Sequence, residues 1–163
     1  MKINKSFLFV AIPIIVGILI FDLVTKEVAM AIPLYEIRSF VPGILNLTHY
    51  ENDGAAWNIF AGNQALLIVI SVVFIALIST FYFFERKNGV VFHIGIALIL
   101  GGAIGNMVDR VFIGIVRDFL QFDFWRSFPV FNIADVALTI GVVLVIVYYF
   151  IGLFKRGENA KRD

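Results

Sequence analysis

The chain has no cysteine, only four prolines and two histidines, and just 15% charged residues. Without cysteine there is no disulfide, no thiolate nucleophile and no Cys-ligated zinc or iron–sulfur site. No G-x-S-x-G occurs and no serine sits beside a Lys or His pair, so a serine nucleophile has no support. A net charge of +1 gives no reason to expect a nucleic-acid partner.

What the chain does have is apolar length. Of its 163 residues 61% are hydrophobic, against roughly 45–50% in an ordinary soluble domain. Four apolar runs, about 7–24, 64–84, 89–108 and 135–154, are each long enough to span a bilayer as a helix. The expectation is a single membrane-embedded domain over 1–163, an all-α polytopic membrane protein of four transmembrane helices. Between the second and third runs lies only ERKN, a tight hairpin, whereas 25–63 and 109–134 are long connections that four spans place on the same side.

Charge orients the spans. Eight of the thirteen Lys and Arg, namely Lys2, Lys5, Arg86, Lys87, Lys155, Arg156, Lys161 and Arg162, fall on the side opposite the long connections. The positive-inside rule then makes both termini cytoplasmic and puts any chemistry near the outer surface. Lys2, Lys5, an apolar run and Ala29-Met-Ala31 also resemble a cleaved secretory signal; Lys26 and Glu27 in the gap argue against it. In this topology His49 and His93 lie on opposite sides of the membrane, cannot share a metal, and are assigned to packing or interface roles.

Polar residues concentrate at the outer ends of the helices. Asp22 and Lys26 stand four apart, in the order that favours a same-face ion pair, and read as a structural pair. Gly101 and Gly105 have the GxxxG spacing that lets another helix approach closely. Asn106 and Asp109 share a helix face; Asp109 and Arg110, being adjacent, do not, and each is expected to find a partner on another element. If Asn132 caps the fourth helix, Asp135 is its N3 residue, a sufficient structural reason for a carboxylate there. Against that stands its company: Asp118 in VRDF, Asp109, and Asn52 and Asp53 in ENDGAAW all fall on the same side.

The stretch DFLQFDFWRSFPVF reads as an interfacial aromatic loop at headgroup level, or as aromatics packed on the protein. In the first connection YEIRSFVPGILNLTHYEN reads as extended segments broken at Pro42-Gly43, a small extracytoplasmic β-sheet. Two aspartates sharing one site cannot both ionise easily, so the pair tends to hold one proton and is acid and base together, with no cofactor needed. A four-span ion-coupled transporter is the alternative, and it would need a polar path to the cytoplasmic side.

Taken in order, Asp22-Leu-Val-Thr-Lys26, Asn52-Asp-Gly54-Ala-Ala56-Trp57, Gly102-Ala-Ile-Gly105-Asn106-Met-Val-Asp109-Arg110, Val116-Arg-Asp118-Phe and Phe131-Asn132-Ile-Ala134-Asp135 resemble the bacterial lipoprotein signal peptidases, or signal peptidase II, over nearly the whole chain. The resemblance implies an aspartyl intramembrane endopeptidase of the bacterial cytoplasmic (inner) membrane. It would act as a monomer without cofactor or metal, removing signal peptides from diacylglyceryl-modified prolipoproteins just before the lipidated cysteine. It implies Asp118 and Asp135 as the catalytic dyad, with Asn52, Gly54, Asn106, Asp109, Arg110 and Asn132 as substrate-binding or supporting residues. Prolipoproteins and membrane lipids are the implied partners, and cyclic peptides of the globomycin type the implied inhibitors. Trp57 and Asn58 depart from the family's usual Phe and Ser, which bears on the pocket and not on the dyad.

Overall fold

The computed structural model describes residues 7–85 and 89–159. Most of the ERKN hairpin, and the basic residues Lys2, Lys5, Arg86, Lys87, Lys161 and Arg162 that orient the spans, lie outside them. The order is α1 (Ile12–Ala29, entered through a π-helical turn at Phe7–Ala11), β1 (Ile37–Val41), β2 (Leu45–Asn52), α2 (Gln64–Phe84), α3 (Val90–Phe112), β3 (Val116–Phe122) and α4 (Ile133–Asn159). All four α-helices are long and apolar enough to cross a membrane.

The helices extend past the apolar runs at the ends that carry polar residues. α1 continues to Ala29, which keeps Lys26 and Glu27 helical, and α3 continues to Phe112, which does the same for Asp109 and Arg110. Hydropathy marks the apolar length and not the helix end, because a polar last turn keeps its backbone hydrogen bonds when its side chains find partners.

α3 is the centre of the bundle. Phe92, Ile96, Ala97, Ile99 and Leu100 form the core with Tyr82 of α2, and Ile14, Ile15, Phe74, Ile75, Ile78, Val145 and Tyr148 pack against them. Small residues let its neighbours come close. A Cβ on Gly102 would overlap the Ala134 carbonyl oxygen of α4, and one on Gly101 would press Ile18 of α1 at 3.1 Å. Gly105 faces Asp22 and Ala134, so the GxxxG pair meets both flanking helices.

The sheet is antiparallel in the order β1-β2-β3, so the two long connections meet at one end of the bundle. β1 turns into β2 at Pro42-Gly43, where Gly43 has φ +76° and the Ile44 N–H reaches the Val41 carbonyl at 2.9 Å, the pattern of a type II turn. The third strand corrects the expectation of an interfacial loop: Val116–Phe122 is β3, and only the residues after it form a loop. Val116 through Leu120 are all buried, and a strand covered on both faces reads as a continuous apolar run with no alternation to reveal it. The aromatics that follow pack on one another, with Phe122 at 5.3 Å from Phe128 and 5.0 Å from Phe131.

Candidate active site

Three elements converge where α3 ends: the last residues of β2, the start of β3 and the first turn of α4. Asn132 and Asp135 make a reciprocal capping box on α4, with the Asp135 N–H donating to Asn132 Oδ1 at 3.0 Å and the Asn132 N–H donating to Asp135 Oδ2 at 3.1 Å. The cap expected from the sequence is present, but the asparagine does more than cap. Its side-chain amide also donates to Asp118 Oδ1 at 2.6 Å. One residue therefore holds both carboxylates, and both line a cavity of about 200 Å³.

The other oxygen of each carboxylate is held from a different element. Asn52 Nδ2 donates to Asp118 Oδ2 at 2.8 Å, and Asn106 Nδ2 donates to Asp135 Oδ1 at 2.7 Å. Asn52 reaches Asp118 across an irregular register, since β2 carries an extra residue between Leu47 and Tyr50 relative to Leu120 and Asp118 of β3. Such a bulge re-aims the side chains that follow it. Burial, reinforced by the charge of Asp135, pushes the Asp118 carboxyl up to about 7, against the hydrogen bonds from Asn52 and Asn132.

Behind the cavity wall lies a buried ionic cluster. Lys26 is wholly buried, and its ammonium sits 2.7 Å from Asp22, 3.3 Å from Asp109 and 3.1 Å from Asn106 Oδ1, enough to engage all three of its N–H groups. Asp22 also accepts the Ala134 N–H at 2.9 Å, which joins α1 to the first turn of α4. The pair read from the four-residue spacing is thus a junction between α1, α3 and α4. Asp109 does not line the cavity; it accepts from the Arg117 guanidinium at 2.8 Å and the Arg117 N–H at 3.1 Å.

Arg117 and Glu27 are the contributors that the sequence reading passed over. Arg117 stands beside Asp118 in the chain, and its guanidinium reaches Glu27 of α1 at 2.9 Å. Burial works against its charge, yet Asp109 and Glu27 outweigh that and hold its pKa above the ordinary value. No local pattern signals this, because both partners lie on other elements; the short return from α3 to β3 at Gly114, φ +85°, folds position 117 back toward Asp109.

Arg110 does line the cavity, donating to the Gly54 carbonyl at 3.1 Å. Gly54 does not line that cavity. Its N–H donates to Asn52 Oδ1 at 3.0 Å, and a Cβ there would press Asn58 and Ile59 backbone at 3.0 Å, so it shapes the loop that follows. In that loop Trp57, Asn58 and Phe60 hold left-handed φ of 53°, 62° and 60°, conformations that cost non-glycine residues energy and collect at functional sites. Trp57 meets Phe128 edge to face at 6.0 Å, beside the carboxylates. His49, expected in a packing or interface role, places Nδ1 3.0 Å from the Ile32 carbonyl oxygen and Nε2 3.7 Å from Glu51.

The sequence model of the family described as Signal peptidase (SPase) II matches residues 14–151. A lipoprotein signal peptidase of Staphylococcus aureus is 36% identical over 160 residues, covering 97% of this chain and 96% of its own. One of Lactobacillus gasseri is 47% identical over 111 residues, 68% of this chain and 71% of its own. A solved structure described as a bacterial membrane enzyme, determined by the in meso method at 2.3 Å resolution, is 36% identical with a TM-score of 0.78 and covers 91% of this chain and 90% of that one. Four spanning helices, a three-stranded sheet and a match along most of its length make this multi-pass membrane protein a peptidase of the signal peptidase II family.

Proposed function

We propose that this peptidase is an aspartic one, that Asp118 and Asp135 are its catalytic dyad, and that it cleaves lipid-modified prolipoproteins before the lipidated cysteine. The observation that carries the reading is Asn132, which holds both carboxylates in one cavity. Charge accounting among the buried groups supports it: with the solvent-exposed Glu27 left out, Asp22 and Asp109 are balanced by Lys26 and Arg117, and Arg110 is balanced by a dyad holding a single proton. A low-dielectric site favours that neutral total.

With one proton between them, the ionised aspartate takes a proton from water as the oxygen attacks the peptide carbonyl, while the protonated one donates a hydrogen bond to the carbonyl oxygen. A proton then passes to the amine nitrogen as the C–N bond breaks, leaving a new carboxylate on one product and an amine on the other. Asn52, Asn106 and Asn132 keep the carboxylates oriented through these exchanges, which lowers the reorganisation needed. Arg110, Asn52 and Asn106 are placed to hold the substrate backbone, Gly54 shapes the loop beside it, and Asp109 serves as support behind the wall.

The proposal includes the bacterial cytoplasmic membrane as location, cytoplasmic termini, a monomer, and a cavity at the outer surface that cyclic peptides of the globomycin type would fill. The absence of cysteine makes single-cysteine labelling from either side a direct test of topology. An ion-coupled transporter draws no support from the family match, and the ion pairs among the described residues gather at the sheet end of the bundle.

The deciding experiment is a gel-shift cleavage assay in detergent, with one prolipoprotein prepared with and without its diacylglyceryl group. Cleavage that requires the lipid and falls about 10²–10⁴-fold in Asp118→Asn and Asp135→Asn is expected. Full turnover by either variant would remove that aspartate from the mechanism.

A further inference from the structure

The two aspartates come from different parts of the fold. Asp135 stands in the first turn of α4, which is tied to α1 through Asp22 and the Ala134 N–H and to α3 through Asn106. Asp118 stands in β3 of the sheet, so the spacing of the two carboxylates depends on how β3 is fixed to the helices. Inside the cavity that tie is Asn132. Behind the wall it is Arg117. Successive side chains of a strand point to opposite faces, and Asp118 lines the cavity whereas Arg117 does not. The Arg117 N–H donates to Asp109 Oδ2 at 3.1 Å, Nη2 donates to Asp109 Oδ1 at 2.8 Å and Nη1 donates to Glu27 Oε2 at 2.9 Å. One residue thus holds the backbone of β3 and its own side chain on the same carboxylate of α3, and reaches α1 as well. The charged groups around it are Asp109, Glu27, Lys26, which shares Asp109 with it, and Glu51, its partner in the β2 register; those nearest the dyad are Arg110 and, behind Asn106, Lys26.

We propose that Arg117 is a positioning residue for catalysis: by clamping the start of β3 to Asp109 it sets the separation of the Asp118 and Asp135 carboxylates, on which their sharing of one proton depends. Resting on the aspartic reading above, this adds a residue that touches no substrate and acts only through its neighbour in the chain. A guanidinium suits the task because its planar fork meets Asp109 and Glu27 with separate N–H groups, whereas an ammonium is a single point charge. Asp109 is held in turn by Lys26, and a held acceptor transmits position. A misplacement of about 1 Å in a catalytic group costs about 10²-fold in rate. Interacting carboxylates titrate as a pair whose two apparent values are pushed apart by the interaction, so carboxylates that move apart titrate closer together. The limbs of the pH profile therefore read the separation, whereas a loss of folded protein lowers the profile without moving them.

The test is the pH dependence of kcat and KM for wild type, Arg117→Met and Arg117→Lys on one diacylglyceryl-modified prolipoprotein, with thermal unfolding in detergent alongside. In Arg117→Met kcat is expected to fall about 10²-fold at unchanged KM, and the acid and alkaline limbs to approach each other by about one unit. Arg117→Lys, which keeps the charge and the backbone N–H but loses the fork, is expected to show the same narrowing with a smaller loss of kcat. Limbs that stay at their wild-type positions in both variants overturn the positioning role, whatever happens to kcat. A raised KM at wild-type kcat also overturns it, since Arg117 would then be a substrate contact. Where Arg117→Met does not fold, Arg117→Lys decides alone, and wild-type kcat and limbs there overturn the clamp. If wild type does not cleave the prolipoprotein, the peptidase reading fails; if it does and Asp118→Asn or Asp135→Asn retains full turnover, the dyad fails. The positioning role falls with either.

Discussion

α2 and α3 have similar lengths, 21 and 23 residues, and both are apolar enough to span a membrane, yet 61% of the apolar window of α3 is buried inside the bundle against 11% for α2. α2 is the more apolar of the two. Hydropathy therefore says which segments leave water, not which leave lipid. What separates them is side-chain size and polarity: α3 has Gly95, Gly101, Gly102 and Gly105 where α1 and α4 approach, and Asn106, Asp109 and Arg110 at its end. α2 presents Val69, Val72, Val73 and Leu77 outward, and these are exposed. In lipid no hydrophobic force drives helices together, so close packing and polar contacts decide the centre.

The strongest way to break this difference is Gly102→Val. The added carbons collide with the α4 backbone at Ala134, one residue before Asp135, so peptidase activity should fall to background and thermal stability should drop by the ~1–3 kcal/mol of an overpacked core or more. Thermal unfolding in detergent beside a cleavage assay checks both. Wild-type activity would mean that α3 does not set the position of α4.

Lys26→Met attacks the polar half of the contrast by leaving two buried carboxylates, Asp22 and Asp109, short of a partner and Asn106 Oδ1 with the Asn132 amide as its remaining donor. Removing one member of a buried pair costs about 3–5 kcal/mol. The triple variant Asp22→Asn, Lys26→Met, Asp109→Asn should recover part of that stability without restoring full activity. Recovery of both would show that the cluster only balances charge.

A pH profile sharpens the comparison further, because burial and the neighbouring charge of Asp135 set how Asp118 titrates. Asp118 is raised to about 7 from an unfolded value of 3.8, so the fold favours its protonated form. Stability from this group is greatest at low pH and declines as pH rises from the unfolded value through about 7, since the native state binds more protons there. Activity should fall about tenfold per unit above that point as the pair loses its shared proton. A flat kcat/KM from pH 6 to 9 would contradict a shared proton. The smallest effect belongs to α2: Leu77→Ile, on the exposed face, should stay within about 0.5 kcal/mol of wild type with unchanged activity.

Legibility followed the same division. The apolar runs, the capping box at Asn132 and the ion pair at Asp22 and Lys26 were readable because each depends on one contiguous run or on neighbours within four residues. Strand β3 was not, since a strand buried on both faces loses its alternation, and the role of Arg117 was not, since its partners Asp109 and Glu27 lie on other elements.

By itself the sequence determined that four segments enter the membrane, which polar residues cluster at one end, and the family to which the pattern belongs, because apolar length and short-range spacing are local properties. Only the tertiary structure decided that α3 is the centre, that Asn132 joins the two aspartates, and that Lys26 locks three helices together. Those contacts link residues up to 112 positions apart, and a pairing across that distance is chosen by packing and buried charge, which no local pattern encodes.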